Sequence, residues 1–128
     1  WEFDITQLIK KINPEIQVIT IGDIIPLISS CSVMISVGLS TSILEAQILK
    51  KPVIAIPIVD YDMGNPEIFK MDSCLMGNPE NFEGELNRIL SNDEVKHEVV
   101  QKGNYFLKKY LVNPKKASEQ FFELLKTL

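Results

Sequence analysis

Two runs of apolar residues, 33–37 and 52–58, most constrain what this chain can fold into. Each run is short and rich in β-branched side chains, which is typical of strands buried on both faces of a parallel sheet. Between them lie a loop of small residues, 38–42, and a stretch with helical spacing, 43–50. Strand, helix and strand in this order predict a right-handed βαβ unit.

Periodicity and capping residues predict seven further elements. Apolar residues at helical or alternating spacing, bounded by prolines and by aspartate or asparagine caps, mark their positions. They are helix 5–12, strand 16–21, helix 24–28, strand 73–76, helix 79–90, helix 93–109 and helix 117–125. Strands that alternate with helices and end in a helical tail predict the α/β class with a parallel sheet of four strands.

The composition is that of one ordinary globular domain. A chain of 128 residues can bury a single core, and we predict one domain over residues 1–128. The net charge is −4, with lysines scattered along the chain, and this argues against broad nucleic-acid binding. The single arginine, Arg88, argues against a phosphate clamp made of several arginines.

The first residue of the chain, the lack of a long apolar run and the two cysteines indicate where the protein comes from and where in the cell it is located. The chain begins at Trp1 rather than methionine, and its first predicted helix has no strand before it, so we expect a fragment of a longer chain. No apolar run reaches the length of a membrane span and no signal peptide is visible, which favours a cytoplasmic location. Cys31 and Cys74 lie in apolar surroundings and are expected to be reduced core residues, not a disulfide or metal pair.

The loop between the two apolar runs has the character of an anion site. Its residues Gly38, Ser40, Thr41 and Ser42 bring three hydroxyls and several backbone N–H groups to the start of the helix. The first N–H groups of a helix lack partners and the helix dipole favours negative charge, so this place suits a phosphate. Such loops occur in many α/β proteins, and this one alone does not identify a ligand.

Glu45 is the sharper clue. At about 100° per residue around a helix, Leu44, Ala46, Ile48 and Leu49 predict the apolar face, and Glu45 falls in its middle. A carboxylate there is expected to point towards the sheet, where burial without partners is costly. Two interpretations stay open: Glu45 caps backbone N–H groups inside the fold, or it faces a cleft and accepts hydrogen bonds from ligand hydroxyls.

Three segments together resemble a known superfamily. They are residues 23–36, residues 38–46 (Gly-Leu-Ser-Thr-Ser-Ile-Leu-Glu-Ala) and residues 50–54 (Lys-Lys-Pro-Val-Ile). The pattern resembles the C-terminal half of GT-B glycosyltransferases, in the form found in surface and capsular polysaccharide enzymes and related polyol-phosphate transferases. The resemblance implies a Rossmann-like three-layer α/β/α domain that binds a nucleotide-diphosphate sugar as substrate and needs no cofactor.

The resemblance also implies roles for individual residues. Gly38, Ser40, Thr41 and Ser42 would hold the donor diphosphate, and Glu45 would accept hydrogen bonds from the ribose hydroxyls. The spacing agrees, because five residues of helix rise about 7.5 Å, roughly the length of one ribose. The resemblance therefore favours the ligand-binding interpretation of Glu45.

Other parts of the site are implied less directly. In GT-B enzymes the acceptor side and the general base usually come from the N-terminal half, so no catalytic residue is assigned here and the chain alone is expected to be inactive. The implied partners are the nucleotide sugar and a missing N-terminal domain of the same chain, with peripheral membrane association through the full-length protein. Asp60 and Tyr61 are expected at the rim of the donor site, and no metal site is expected.

Two alternatives remain open. One is a domain like the non-hydrolysing UDP-N-acetylglucosamine 2-epimerases, which share this half-fold, although their double-glycine form of the loop is absent here. The other is a non-catalytic nucleotide-sugar-binding module.

Two further predictions concern residues outside the loop. His97 is expected to be exposed among charged residues. The aromatic residues of the last two helices are expected to pack in the core between them: Tyr105, Phe106, Tyr110, Phe121 and Phe122.

Overall fold

A computed structural model describes residues 4–57 and 66–111 of the chain. This part contains six helices and three strands. In chain order they are α1 (Ile5–Ile12), α2 (Ile24–Ser30), β1 (Met34–Val37), α3 (Ser42–Ile48), β2 (Val53–Ile56), α4 (Glu67–Lys70), β3 (Leu75–Met76), α5 (Phe82–Ser91) and α6 (Asp93–Tyr110). The predicted helix 117–125 lies outside the described residues. No helix within the described ranges combines the length and the apolar character needed to cross a membrane.

The three strands form one parallel sheet in the order β1-β2-β3. Met34 pairs with Val53 and Val37 with Ile56, and on the other edge of β2 Ile54 pairs with Leu75. Successive side chains of a strand point to opposite faces. Accordingly, Val53 and Ala55 join one buried cluster, while Ile54 and its neighbours join another. The predicted βαβ unit, the parallel sheet and the α/β class are confirmed.

The predicted strand 16–21 is wrong. These residues are in no strand, and β1 pairs with β2 alone among the described residues. Ile19 is half-exposed and Ile21 is 91% exposed, so the alternating pattern buries little. A strand is stabilised by its ladder and by side-chain pairs across it, and β-branched residues without a neighbouring strand have neither.

Local hydrogen bonds move two predicted helix boundaries. α3 ends at Ile48, before the predicted Lys50, because Lys50 has φ 55° and the N–H of Lys51 donates to the carbonyl of Ala46 at 2.8 Å. This is a Schellman ending, and it turns the chain sharply into β2. α5 starts at Phe82 rather than 79, because the Asn78 side chain accepts from two N–H groups of a preceding turn. α4 was not predicted.

The close approach of α6 to α3 positions the end of α6. A Cβ atom on Gly103 would lie 3.0 Å from Cγ of Gln47, so a larger residue there would push the Gln47 side chain aside and crowd the two helices. Gln47 is buried, and its Nε2 donates to the carbonyl of Ser73 at 3.0 Å and to its Oγ at 3.2 Å. These contacts fix α6 across α3 and bring Phe106, one turn beyond Gly103, into the core beside α3 and β2.

Candidate functional site

The loop after β1 begins at Gly38, which turns the chain at the carboxyl end of the sheet. Its φ is 76°, a conformation that residues with a side chain rarely adopt. Its N–H donates to the carbonyl of Ile56 at 2.8 Å and extends the ladder by one bond. The buried Ser36 hydroxyl donates to the carbonyl of Gly38 at 3.3 Å. In open parallel sheets ligands bind at this end.

The loop hydroxyls differ in how they are used. Oγ of Ser40 and Oγ of Ser42 lie 2.8 Å apart, so one donates to the other and the pair retains one free proton. Thr41 occupies the N-cap of α3, yet its side chain makes no capping bond, and it is exposed. Within the described residues, the N–H groups of Leu39, Ser40 and Thr41 have no recorded partner. The predicted loop residues therefore lie together and keep donors for an anion.

Glu45 does not lie in the buried face of α3. Of the predicted apolar face, Ala46 is buried and Leu44 and Leu49 pack against the core, but Ile48 is misplaced. The buried residues are Ile43, Ala46 and Gln47, while Ile48 is 54% exposed. Gln47 is buried because Ser73 satisfies its amide and Gly103 leaves room for it, which hydropathy alone cannot reveal. Glu45 is half-buried on the opposite side of the helix, next to Thr41 one turn earlier.

The Glu45 carboxylate has no recorded hydrogen bond or ion pair with any other described residue. The recorded bonds of Glu45 are those of its backbone, from its N–H to Thr41 and from Leu49 to its carbonyl. An internal capping role, the first of the two open interpretations, therefore finds no support in the described part of the chain. The carboxylate has acceptor sites for a ligand.

A groove of about 480 Å³ opens beside this loop. Its walls come from three separate parts of the chain: the β1–α3 connection, the start of α4 and the end of α6. They are Leu39, Ser40, Thr41, Leu44, Pro66, Glu67, Ile68, Phe106, Tyr110 and Leu111. The volume falls in the range of about 300–1,000 Å³ common for small-molecule sites. Thr41 and Leu44 line the groove, whereas Glu45 lies next to them on the helix and outside the recorded lining.

Glu67 is the one charged side chain among the described residues that line the groove. Its Oε1 accepts from Nζ of Lys70 at 3.2 Å, and its Oε2 accepts from the hydroxyl of Tyr110 at 3.0 Å. The hydrogen bond from Lys70, and then that from Tyr110, lowers the pKa of Glu67, so the carboxylate is ionised at neutral pH. The ring of Tyr110 packs against Phe106 with centroids 4.6 Å apart.

A second hollow of about 360 Å³, here called the charged cavity, lies between β3, α5 and α6. Its lining is Asp72, Cys74, Leu75, Met76, Glu85, Arg88, Val95, Glu98, Val99 and Lys102. Lys102 Nζ lies 2.9 Å from Glu98 Oε1 and 3.8 Å from Asp72 Oδ2. Arg88 Nη2 lies 3.0 Å from Glu85 Oε2, although that oxygen is not in hydrogen-bonding geometry.

Other predicted residues have mixed outcomes. His97 is exposed, as predicted, and its Nε2 lies 2.7 Å from Nε2 of Gln101. Cys74 is buried in the core, as predicted, whereas Cys31 is only half-buried, and both are free thiols. Of the aromatic group, Phe106 is buried, but Tyr105 and Tyr110 are exposed, so the assignment of these two to the core is wrong. Phe121 and Phe122 lie outside the described residues.

Two further predictions concern Asp60, Tyr61 and metal ions. Asp60 and Tyr61 lie outside the described residues. Within 4–57 and 66–111, no three histidine, cysteine, aspartate or glutamate side chains are placed to hold a metal ion.

Sequence reasoning missed most of the groove. Leu39, Leu44, Glu67 and Tyr110 belong to three segments that meet only in the folded chain. The signal available for Glu67 was its place shortly after the second strand of the βαβ unit, on the side of the sheet where ligands bind.

Comparison with known proteins leaves the chain unassigned: no family model, no curated protein and no solved structure matches it.

Proposed function

We propose that this chain is the donor-binding half of a GT-B glycosyltransferase that moves a sugar from a nucleotide-diphosphate donor in surface polysaccharide synthesis. The observation that carries the proposal is the groove, which adjoins the Ser40–Thr41 loop at the carboxyl end of β1. An anion-receptive loop next to an apolar groove matches the two halves of a nucleotide, since the phosphates are charged and the base is flat and weakly polar.

In this proposal each part of the donor has its own place. The diphosphate lies at the loop, where the Thr41 hydroxyl and the loop N–H groups are donors. The ribose lies over the first turn of α3, where Glu45 accepts from its hydroxyls, and the base enters the groove along Leu44. Thr41 is adjacent to both Leu44 and Glu45, three and four residues further along the helix, so a single ligand can contact all three.

The rest of the proposed protein follows from the GT-B assignment. The described sheet would be the centre of a Rossmann-like three-layer α/β/α domain in the cytoplasm, and an N-terminal half would supply the other wall of the cleft and the general base. Residues 1–128 alone would then bind the donor without turning it over. A non-catalytic nucleotide-sugar-binding module is the second candidate, because the same groove and loop would serve it.

Calorimetric titration of the 128-residue chain with UDP, CDP and GDP tests the proposal. We expect one of them to bind with a dissociation constant of roughly 0.1–1 mM, which corresponds to about 4–5.5 kcal/mol. Glu45→Ala should weaken that binding about tenfold, the equivalent of about 1.4 kcal/mol for hydrogen bonds to a charged group.

Glu83→Ala is the matched control, because Glu83 is an exposed acid on α5 and its loss changes the net charge equally. Binding of no diphosphate at millimolar concentration would contradict the proposal, as would equal effects of the two variants. Transferase and binding module are separated in the full-length protein: the former releases a nucleoside diphosphate from its donor sugar, and the latter does not.

A further inference from the structure

We propose that the groove selects guanine, so that the donor bound by this chain is a GDP-sugar; this inference rests on the proposed function and names the base for the same site. It starts from the chemistry of the groove lining. Seven of the lining residues carry apolar or aromatic side chains (Leu39, Leu44, Pro66, Ile68, Phe106, Tyr110 and Leu111), and Glu67 is the one charged group among the described lining residues. Apolar walls accept the faces of any base, and the proposed function already assigns the Ser40–Thr41 loop to the diphosphate, so discrimination between bases falls to Glu67.

The Glu67 carboxylate is an acceptor with unused capacity. An ionised carboxylate offers about four lone-pair sites, two on each oxygen. Lys70 uses one site on Oε1 and Tyr110 uses one on Oε2, so each oxygen has a site left. Because the carboxylate stays ionised, it accepts only and has no proton to donate. A ligand edge with two neighbouring N–H donors matches it.

Guanine has such an edge and the other common bases do not. Its N1–H and its 2-amino group stand side by side and can donate to the two oxygens of one carboxylate. Cytosine and adenine place a ring-nitrogen acceptor beside their amino group, and uracil places its N3–H between two carbonyls. Each of these brings an acceptor close to the negative charge. The expected order of affinity is therefore GDP first, CDP and ADP next, and UDP last.

The Tyr110 hydroxyl holds the Glu67 carboxylate in one orientation. The Tyr110 ring is held between packing against Phe106 and the ammonium of Lys109, whose Nζ lies 5.1 Å from the ring centroid. The hydroxyl therefore points at Oε2 of Glu67 from a fixed position. A carboxylate oriented by two donors loses less conformational freedom when it binds a base than a free surface glutamate does.

Titration of the unaltered chain with GDP, IDP, CDP and UDP tests the inference without any mutation. IDP keeps N1–H but lacks the 2-amino group, so it removes one of the two predicted hydrogen bonds. We expect GDP to bind most tightly and IDP and UDP to bind about tenfold more weakly, within the discrimination typical of a bidentate pair. Binding of UDP or CDP as tight as that of GDP would overturn the choice of guanine and leave the proposed function standing. Binding of no diphosphate would overturn both.

Glu67→Gln supplies the residue-level test, with Glu83→Gln as its control. The amide presents one donor and one acceptor, so we expect GDP affinity to fall about tenfold while UDP affinity stays within about twofold. Glu67 is exposed, and an unchanged circular dichroism melting curve confirms that the variant is folded. If Glu67→Gln leaves the ratio of GDP to UDP affinity unchanged, Glu67 does not read the base and the inference fails.

Discussion

The groove and the charged cavity are built partly by the same helix, yet their charges are used in opposite ways. α6 contributes Val95, Glu98, Val99 and Lys102 to the charged cavity and Phe106 and Tyr110 to the groove. In the cavity, each basic group forms an ion pair with an acid of the same cavity, although Oε2 of Glu85 is buried without a hydrogen bond. In the groove, the lining is mostly apolar, and the one carboxylate among its described residues is half exposed and held by Lys70 and Tyr110. Small-molecule sites are mostly apolar with a few placed polar groups, and the groove fits this description better than the charged cavity does.

The largest predicted effect concerns Cys74, in the wall of the charged cavity. Burial raises the pKa of this thiol from 9.0 to about 12, and the thiolate is the reactive form. Three pKa units lower the thiolate fraction at pH 8 about a thousandfold. Cys74 should therefore resist iodoacetamide in the folded chain and react readily in guanidinium chloride, as followed by mass spectrometry.

Half-buried Cys31 serves as the internal comparison in the same labelling experiment, and a Cys31→Ser variant isolates the second thiol. Labelling of Cys74 in the folded chain at the rate of the unfolded chain would mean that the charged cavity admits reagents. The charged cavity would then be as open to small molecules as the groove is proposed to be.

The next largest effect is expected on nucleotide affinity, when a tryptophan fills either the groove or the charged cavity. Leu39 lines the groove and is 42% exposed, and Met76 lines the charged cavity and is 39% exposed, so tryptophan at either position should be tolerated by the fold. We expect Leu39→Trp to weaken nucleotide binding about 30-fold, equivalent to about 2 kcal/mol, because the indole occupies the space of the base. Met76→Trp should leave the calorimetric affinity unchanged. Equal losses in the two variants would show that the ligand site is not the groove.

How far the sequence predicts this molecule depends on the range of the interactions involved. Caps at Asp4 and Asp23 act within a few residues, and the side chains of these two residues accept the bonds expected from helix N-caps. The βαβ unit is also local, since its two strands are joined by one helix. Both could be derived from spacing and residue type.

What the sequence could not predict depends on distant segments. The prediction of strand 16–21 failed because it assumed a neighbouring strand that the described residues do not supply. Gln47 was missed in the buried face of α3 because its amide is satisfied by Ser73, 26 residues away. The groove needs Leu44, Glu67 and Tyr110 to meet, and no periodicity encodes that meeting. The loop residues Ser40 and Thr41 were predicted correctly as neighbours because they are adjacent in sequence.

The smallest effect tests whether the charges of the cavity are already satisfied. The hydrogen bond that Lys102 donates to Glu98 raises the pKa of Lys102, which marks a favourable pair, but the side chains of both residues are largely exposed to solvent. Exposed pairs contribute little and are screened by salt. Lys102→Met should lower the melting temperature by a few degrees at most at low salt, and by less at about 1 M salt, where the Debye length is about 3 Å. Lys108→Met, which removes the same charge from an exposed position on α6, is the control. A loss that persists at high salt would mean that Lys102 stabilises the fold by packing, and the charged cavity would then resemble a core more than a set of paired surface charges.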